Sequence, residues 1–501
     1  MTRPPCAPPR LADRATTAID VVDDFGIAAR AWPGRTAVVH NGIPTTYREL
    51  AARVATTASR YRTAAPGRIG VMVSHDPAAA EHLLAVLACG ATYCPIDATL
   101  PPARRRAIAT ALDVDHLVAA EPPAVGLGST VLQHERYSCA PAYVLCTSGS
   151  TGMPKPVAVS RPALAVTVRA LRQLFGLTPE DRVLQFASLG WDTCLEEILP
   201  TLTSGAALVF DNAAHCGSFP PFLRMLAAQG VTVLDVPTAF WHELVLHLHD
   251  EHAELPECVR LVVIGGERVD PTRLRQWRDL DAGRTRLLNT YGCTETTMIT
   301  HAVQLSGPGT EPGVARCADA PLGRPLPHVH HHITGDGELM VSGPGIATGY
   351  PGLPDKTAAA FPVADHGTGT RRWFRTGDLV HPAEDGLLHP LGRTDEQVKV
   401  LGVRVHPAEV EAQLTSHPAV SGAVVVGEHA LGRTVLTAYV VAAAPTTAAD
   451  LKRYLRDRLP SQFVPTRMNF VATLAYTASG KVDRAATRRA AANSNNKGAC
   501  R

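Results

Sequence analysis

Tyr143-Val-Leu-Cys-Thr-Ser-Gly-Ser-Thr-Gly-Met-Pro-Lys155 starts as an apolar run and empties into hydroxyls, glycines and a lysine. Its first residues read as a buried strand. The later residues suit a chain of phosphates: hydroxyls and exposed backbone N–H groups donate to it, and glycines let the backbone come close. The loop is not a Walker loop, since G-x-x-x-x-G-K-[ST] is absent. Gly480-Lys481 is no substitute, with Val482 after it and Ala475 where the first glycine belongs. Gly343, Gly345 and Gly349 likewise miss the dinucleotide spacing G-x-G-x-x-G.

Outward from this loop the chain alternates strands and helices. Ile69–Ser74 reads as a strand, and Ala78–Cys89 as a helix closed by Gly90. Further strands are expected at Arg182–Ala187, Val231–Leu234 and Arg260–Ile264. Buried apolar strands between helices predict an α/β fold with helices on the sheet faces. After Gly392-Arg-Thr-Asp395 the rhythm changes to a helix at Pro407–Ser416 and strands at Ala423–Val426 and Val435–Ala444. That predicts a separate α+β module of about one hundred residues. The expected boundaries are a loose N-terminus at 1–15, a large domain at 16–393, a small domain at 394–485 and a disordered tail at 486–501.

A length of 501 residues is enough for two or more domains. The formal charge of +2 excludes a strongly basic nucleic-acid groove. Hydrophobic residues at 45% against 19% charged describe a globular chain, not a disordered one. The N-terminus lacks the apolar core of a secretory signal, and no apolar stretch is long enough to span a membrane. The eleven cysteines are scattered and contain no C-x-x-C, which reads as reduced thiols and not a disulfide scaffold. These features together predict a cytoplasmic protein that binds neither nucleic acid nor membrane.

Thr147-Ser-Gly-Ser-Thr-Gly-Met-Pro-Lys155 resembles the phosphate-loop signature of the adenylate-forming superfamily, and within it the amino-acid adenylation domains of nonribosomal peptide synthetases. The other motifs occur in family order from Thr46 to Arg484. They are Thr46-Tyr-Arg-Glu-Leu50, Gly90-Ala-Thr-Tyr-Cys-Pro-Ile-Asp97, Asn289-Thr-Tyr-Gly-Cys-Thr-Glu295, Gly337-Glu-Leu339 through Gly349-Tyr350, Phe374-Arg-Thr-Gly-Asp-Leu379, Gly392-Arg-Thr-Asp-Glu-Gln-Val-Lys399 and Ser479-Gly-Lys-Val-Asp-Arg484. Departures are Cys293 for a proline, Thr348 and Leu401 for arginines, and His406-Pro-Ala for an acidic stretch. The last two fall on the face that meets the acyl acceptor. The resemblance implies a large N-terminal body of packed α/β subdomains with a β-barrel-like subdomain. It also implies a small mobile α+β C-terminal domain.

It further implies ATP and Mg²⁺, and an acid activated as its adenylate with loss of pyrophosphate. Catalysis of that kind is mostly positioning and electrostatics. Thr147, Ser148, Gly149, Ser150, Thr151, Gly152 and Lys155 would cradle the phosphates, with Thr151 also in a catalytic role. Gly265, Gly266, Glu267, Asn289, Thr290, Tyr291, Gly292 and Thr294 would frame the nucleotide, with Asp378 on the ribose hydroxyls and Arg393 nearby. Glu295 is the expected Mg²⁺ ligand, a carboxylate suiting a hard cation. Lys481 would bridge the substrate carboxylate and the α-phosphate. Asp395 is the expected hinge about which the small domain turns, withdrawing Lys481 and admitting a thiol.

The resemblance places Asp192 on the substrate's amino group, which disfavours an aryl-acid activator or an acyl-CoA ligase on the same scaffold. Glu196, four residues on, shares a helical face with Asp192, while Glu197 points away into a structural role. Asp235 maps to the same pocket, with Thr193, Val263, Gly265, Thr290, Met298 and Ile299 as the remaining wall. Three acids around one small cavity need a cation among them. The set resembles pockets for lysine-like diamino acids, most closely β-lysine, with α-lysine and ornithine as alternatives. A ligand-binding relic without activity is disfavoured because Lys481, Glu295 and Asp378 are all intact.

No carrier domain is expected after Lys481, so the acyl group would pass to a carrier protein in trans in a peptide-antibiotic pathway. The resemblance also allows a small activating partner protein. The His328-Val-His-His-His332 run reads as strand alternation, and no transition metal is assigned. For Lys481→Ala, adenylation should fall on the order of 10²–10³-fold, while transfer from a supplied adenylate survives. Equal loss in both half-reactions would contradict the role given to Lys481.

Overall fold

Strand Tyr143–Thr147 runs back on Lys155–Val159 as an antiparallel pair that places Thr147 opposite Lys155. This hairpin forms one edge of a five-stranded sheet, in which Thr92–Asp97, Arg68–Val73 and His116–Ala119 continue in parallel. The computed structural model describes residues 20–63, 67–121, 140–148, 153–281, 283–317, 319–367, 369–430, 433–475 and 483–498. The segment expected to be loose (1–15), the turn Gly149–Gly152 and Lys481 lie outside the described residues.

A second sheet of nine strands packs beside the first. Its centre is parallel: Leu261–Gly265 lies between Val233–Pro237 and Arg286–Cys293, with Arg182–Leu184 and Ala207–Phe210 beyond. Leu234, Leu261, Val262, Val263 and Ile264 expose nothing, as befits strands covered on both faces. The strand expected at 231–234 sits further along, at Val233–Pro237. It ends at Pro237, which lacks an N–H and turns the chain into helix Thr238–Asp250. Asp235 therefore lies inside the strand, not at its end. The strand expected at 182–187 stops at Leu184, because the backbone N–H groups of Phe186 and Ala187 turn to the Glu197 carboxylate.

A third, antiparallel sheet brings together His330–Ile333, Glu338–Ser342, Thr370–Pro382, Val363–Asp365 and Leu388–Arg393. Its histidines meet neighbours: His331 accepts or donates to His301 at 2.9 Å, and His332 stacks on His366. Among the described residues no group of His, Cys, Asp and Glu is arranged around a metal position. No described helix is long and apolar enough to cross a membrane.

Beyond Arg393 come the tight hairpin Val398–Val400/Val403–Val405, helix Pro407–Thr415 and a three-stranded sheet over a core of its own. The large and small parts meet through an ion pair buried on both sides, Arg104 with Glu409. The tail expected to be disordered from 486 is instead helical over Arg484–Gly498. Alanine and arginine favour helix, the Asp483 carboxylate accepts the Ala486 N–H, and Arg484 pairs with Glu411 of helix Pro407–Thr415.

Candidate active site

Strand Arg286–Cys293 delivers its C-terminal end to the mouth of the parallel sheet, where ligands of α/β folds bind. Asn289 donates to the Pro321 carbonyl, Thr290 to the Ile264 carbonyl, and the Tyr291 hydroxyl to Asp378 at 2.6 Å. Asp378 is also paired with Arg393, which grips Asp395 through two further nitrogens. The ribose candidate and the hinge candidate are thus joined by one guanidinium. Gly292 has no room for a side chain, since a Cβ there would lie 1.8 Å from the Met298 carbonyl oxygen. Thr297 and Met298 next to it carry positive φ values of 56° and 71°, strain stored at the edge of the cavity.

Glu295 is wholly buried and surrounded by donors. Lys155 lies 3.1 Å from one oxygen and the Tyr350 hydroxyl 3.0 Å from it, and Arg404 lies 3.1 Å from the other. Burial opposes its charge, yet Lys155 and Arg404 outweigh burial and hold the carboxyl down at about 2. A carboxylate of this kind suits a divalent cation, but here Arg404 takes one oxygen. A divalent cation bound there would compete with Arg404 for the same atom.

That hairpin sits over the nucleotide groups. Ser148 donates to the Arg404 carbonyl at 2.7 Å, and the Gly402 N–H donates to Glu267 at 2.6 Å. The Lys399 ammonium lies 5.9 Å from the centre of the Tyr291 ring. Sequence reasoning did not single out Arg404, Gly402 or Tyr350 for the site, because their partners are remote in the chain. Of the expected phosphate-loop residues, Thr147, Ser148 and Lys155 are brought together. Gly149, Ser150, Thr151 and Gly152 lie outside the described residues, as does Lys481.

A cavity of about 670 Å³ runs beneath the hairpin. It is lined by Asp192, Thr193, Glu196, Asp235, Gly265, Thr290, Met298 and Ile299, and also by Arg104 and the segment Leu459–Phe463 of the small domain. Helix Thr193–Ser204 supplies Glu196, with Asp192 just before it in helical backbone, so both acids share one face. Glu197 turns to Gln185 and the N–H groups of Phe186 and Ala187. Burial pushes Asp192 up to about 6, opposed by the Thr294 hydroxyl, and pushes Asp235 up to about 7. Glu196 is driven well above the usual range by burial, and then by Asp235, Asp192 and Glu197. Val263, expected on this wall, does not line the cavity: its methyls are consumed in the main core beneath.

The model of the AMP-binding enzyme family matches residues 25–138 and 133–351, and that of the AMP-binding enzyme C-terminal domain matches 409–481. The chain belongs to the AMP-binding enzymes. It is 39% identical over 477 residues to isonitrile lipopeptide synthase of Streptomyces coeruleorubidus, covering 90% of this chain and 32% of that protein. It is 34% identical over 496 residues to phenyloxazoline synthase MbtB of Mycobacterium sp. (strain MCS), covering 93% of this chain and 41% of that one. The chain therefore spans less than half of either relative. Among solved structures it is similar to amide bond synthetase McbA from Marinactinospora thermotolerans, at 26% identity and a TM-score of 0.81, covering 94% and 99% of the two chains. An adenylation–PCP fusion, NpsA-ThdA from Klebsiella oxytoca, shares the fold at 24% identity and a TM-score of 0.78, covering 91% and 94%.

In this AMP-binding enzyme the Glu295 charge also carries a stability signature. Its folded value of about 2 lies below the ordinary 4.5. The charge thus favours folding fully above pH 4.5, and the contribution is lost as pH falls through 2. The shift corresponds to about 3 kcal/mol. Chemical denaturation without nucleotide or metal should show Glu295→Gln less stable than wild type by about that amount at neutral pH. The gap should close in acid. A gap independent of pH would contradict the assignment.

Proposed function

We propose that this AMP-forming ligase activates a basic diamino acid, β-lysine ahead of α-lysine or ornithine, and passes it to the phosphopantetheine thiol of a carrier protein in the cytoplasm. One observation carries the reading: Asp192, Glu196 and Asp235 line one cavity, and Asp192 Oδ2 and Asp235 Oδ2 are buried with no hydrogen-bond partner among the described residues. The charges that bear most on Glu196 are themselves acidic. A substrate with two ammonium groups supplies what the pocket lacks, and a neutral amino acid does not.

In this reading Asp192 takes the amine nearer the carboxyl group. Glu196 and Asp235 take the distal one, and the methylenes lie along Met298 and Ile299. The preference for β-lysine rests on the likeness of the whole residue set to β-lysine pockets. Asp378 and Tyr291 hold the ribose and adenine end, and Lys155 lies against the phosphates. Magnesium, when bound at Glu295, would offset phosphate charge. Lys481 orients the carboxylate for attack while the hairpin is away from Glu295. With Arg404 on Glu295 the hairpin covers the residues that would hold the nucleotide, and the same cavity that Asp192 and Glu196 line also reaches Arg104 and Ser461. This second arrangement suits acyl transfer, because the cavity can admit a slender thiol-bearing arm while bulk water is kept from the activated acyl group.

ATP–pyrophosphate exchange across β-lysine, α-lysine, ornithine and neutral amino acids tests the reading. Exchange should depend on a diamino acid, with β-lysine giving the highest kcat/KM. A preference for a neutral amino acid would overturn the assignment of the pocket, and exchange with none would overturn the activity.

A further inference from the structure

Helix Pro102–Leu112 buries one stripe of side chains, Arg104, Ile108 and Leu112. The arginine is out of place there on two counts. It must give up water, and it stands in the first turn, where the helix dipole disfavours a cation. Such burial needs a partner, and the partner comes from the other domain. Arg104 Nη1 donates to Glu409 Oε1, and the two residues are only 8% and 0% exposed. The guanidinium also lies over the ring of Phe463, 5.7 Å from its centre. Phe463 is part of the small domain's core.

Glu409 lies in the first turn of helix Pro407–Thr415, whose Val410 and Leu414 pack into that same core. Glu411, on the same helix, pairs with Arg484 and accepts the Val425 N–H inside its own domain. Glu409 reaches across to the large domain instead. Neither it nor Arg104 belongs to the groups assigned to ATP, magnesium or the amino acid. Arg404 and Glu409 sit on the hairpin and on the helix that directly follows it. A turn of the small domain that takes Arg404 off Glu295 therefore takes Glu409 away from Arg104. Apart, each charge regains water. Docked, each depends on the other, because one buried charge alone is strongly unfavourable while a buried pair is close to neutral against its hydrated halves. Such a pair adds little to the strength of docking and much to its register.

We propose that Arg104 and Glu409 form a latch that selects the arrangement in which Arg404 meets Glu295, and so act on acyl transfer to the thiol and not on adenylation. This rests on the two arrangements of the small domain proposed above. Both are positioning residues: they place the small domain, whose segment Leu459–Phe463 lines the cavity.

Removing one partner should be worse than removing both. In Glu409→Leu the Arg104 charge is left buried alone, and transfer from a preformed β-lysyl adenylate to pantetheine should slow about a hundredfold. ATP–pyrophosphate exchange should stay within about twofold of wild type, since Glu409 is then at the surface. Adding Arg104→Met leaves an apolar contact and should bring transfer back to within about tenfold of wild type. Equal loss in both half-reactions, or a double variant no better than Glu409→Leu, would overturn the latch. A second readout needs no substrate. Amide hydrogen exchange in segments Pro102–Leu112 and Leu459–Phe463 should quicken in Glu409→Leu and slow again in the double variant, with strand Leu261–Gly265 unchanged throughout. No change in the two segments, or a loss of protection that extends to Leu261–Gly265, would overturn it too. If the exchange pattern appears but no diamino acid is activated, the substrate reading fails and the latch stands.

Discussion

Glu295 is a carboxylate with essentially no access to water, and the segments around it are arranged to supply positive charge. Lys155 comes from strand Lys155–Val159, Tyr350 from the connection between strands Glu338–Ser342 and Val363–Asp365 of the antiparallel sheet, and Arg404 from the small domain. A buried charge without partners costs several kcal/mol, so these contacts constrain three distant segments at once. Lys155 and Tyr350 belong to the large domain and are fixed there, the ammonium lying 4.1 Å from the centre of the tyrosine ring. Arg404 belongs to the small domain, which is therefore tied to the large one through the carboxylate that is the expected cation ligand.

The acid end of the cavity poses the same problem with a different answer. There burial raises Asp192, Glu196 and Asp235, and acidic neighbours raise Glu196 further. On the function proposed above, the ammonium groups of a substrate would relieve that repulsion, which makes the stability of the empty pocket and its selectivity aspects of one electrostatic balance. Two sets of buried carboxylates are thus incomplete by themselves: Glu295 is met by Lys155 and Arg404, and the acidic wall of the cavity would, on the proposed function, be met by the substrate.

Much of this is legible in the sequence, for identifiable reasons. The phosphate loop and the strands about it announce themselves by apolar runs that end in glycines and hydroxyls, and the structure pairs Thr147 with Lys155 as a hairpin. Asp192 and Glu196 share a face because helical spacing is a local property. Asp235 can be placed near them only through family likeness, since the contact joins a helix to a strand. The strand's real limits escape the pattern because Pro237 ends it later than the apolar run suggests. Arg404 gives no local signal: in sequence it alternates on a short hairpin like any exposed arginine, and only the fold brings it to Glu295. The helix Arg484–Gly498 reads as a frayed tail because its polar residues conceal the Asp483 cap and the Arg484–Glu411 pair.

A crystal structure with the sulfamoyl-adenosine analogue of β-lysine tests this electrostatic balance at the atoms that define it. The amine near the acyl carbon should lie on Asp192 and the distal nitrogen against Glu196 and Asp235. A distal nitrogen turned away from both Glu196 and Asp235 would contradict the acidic pocket as the seat of specificity.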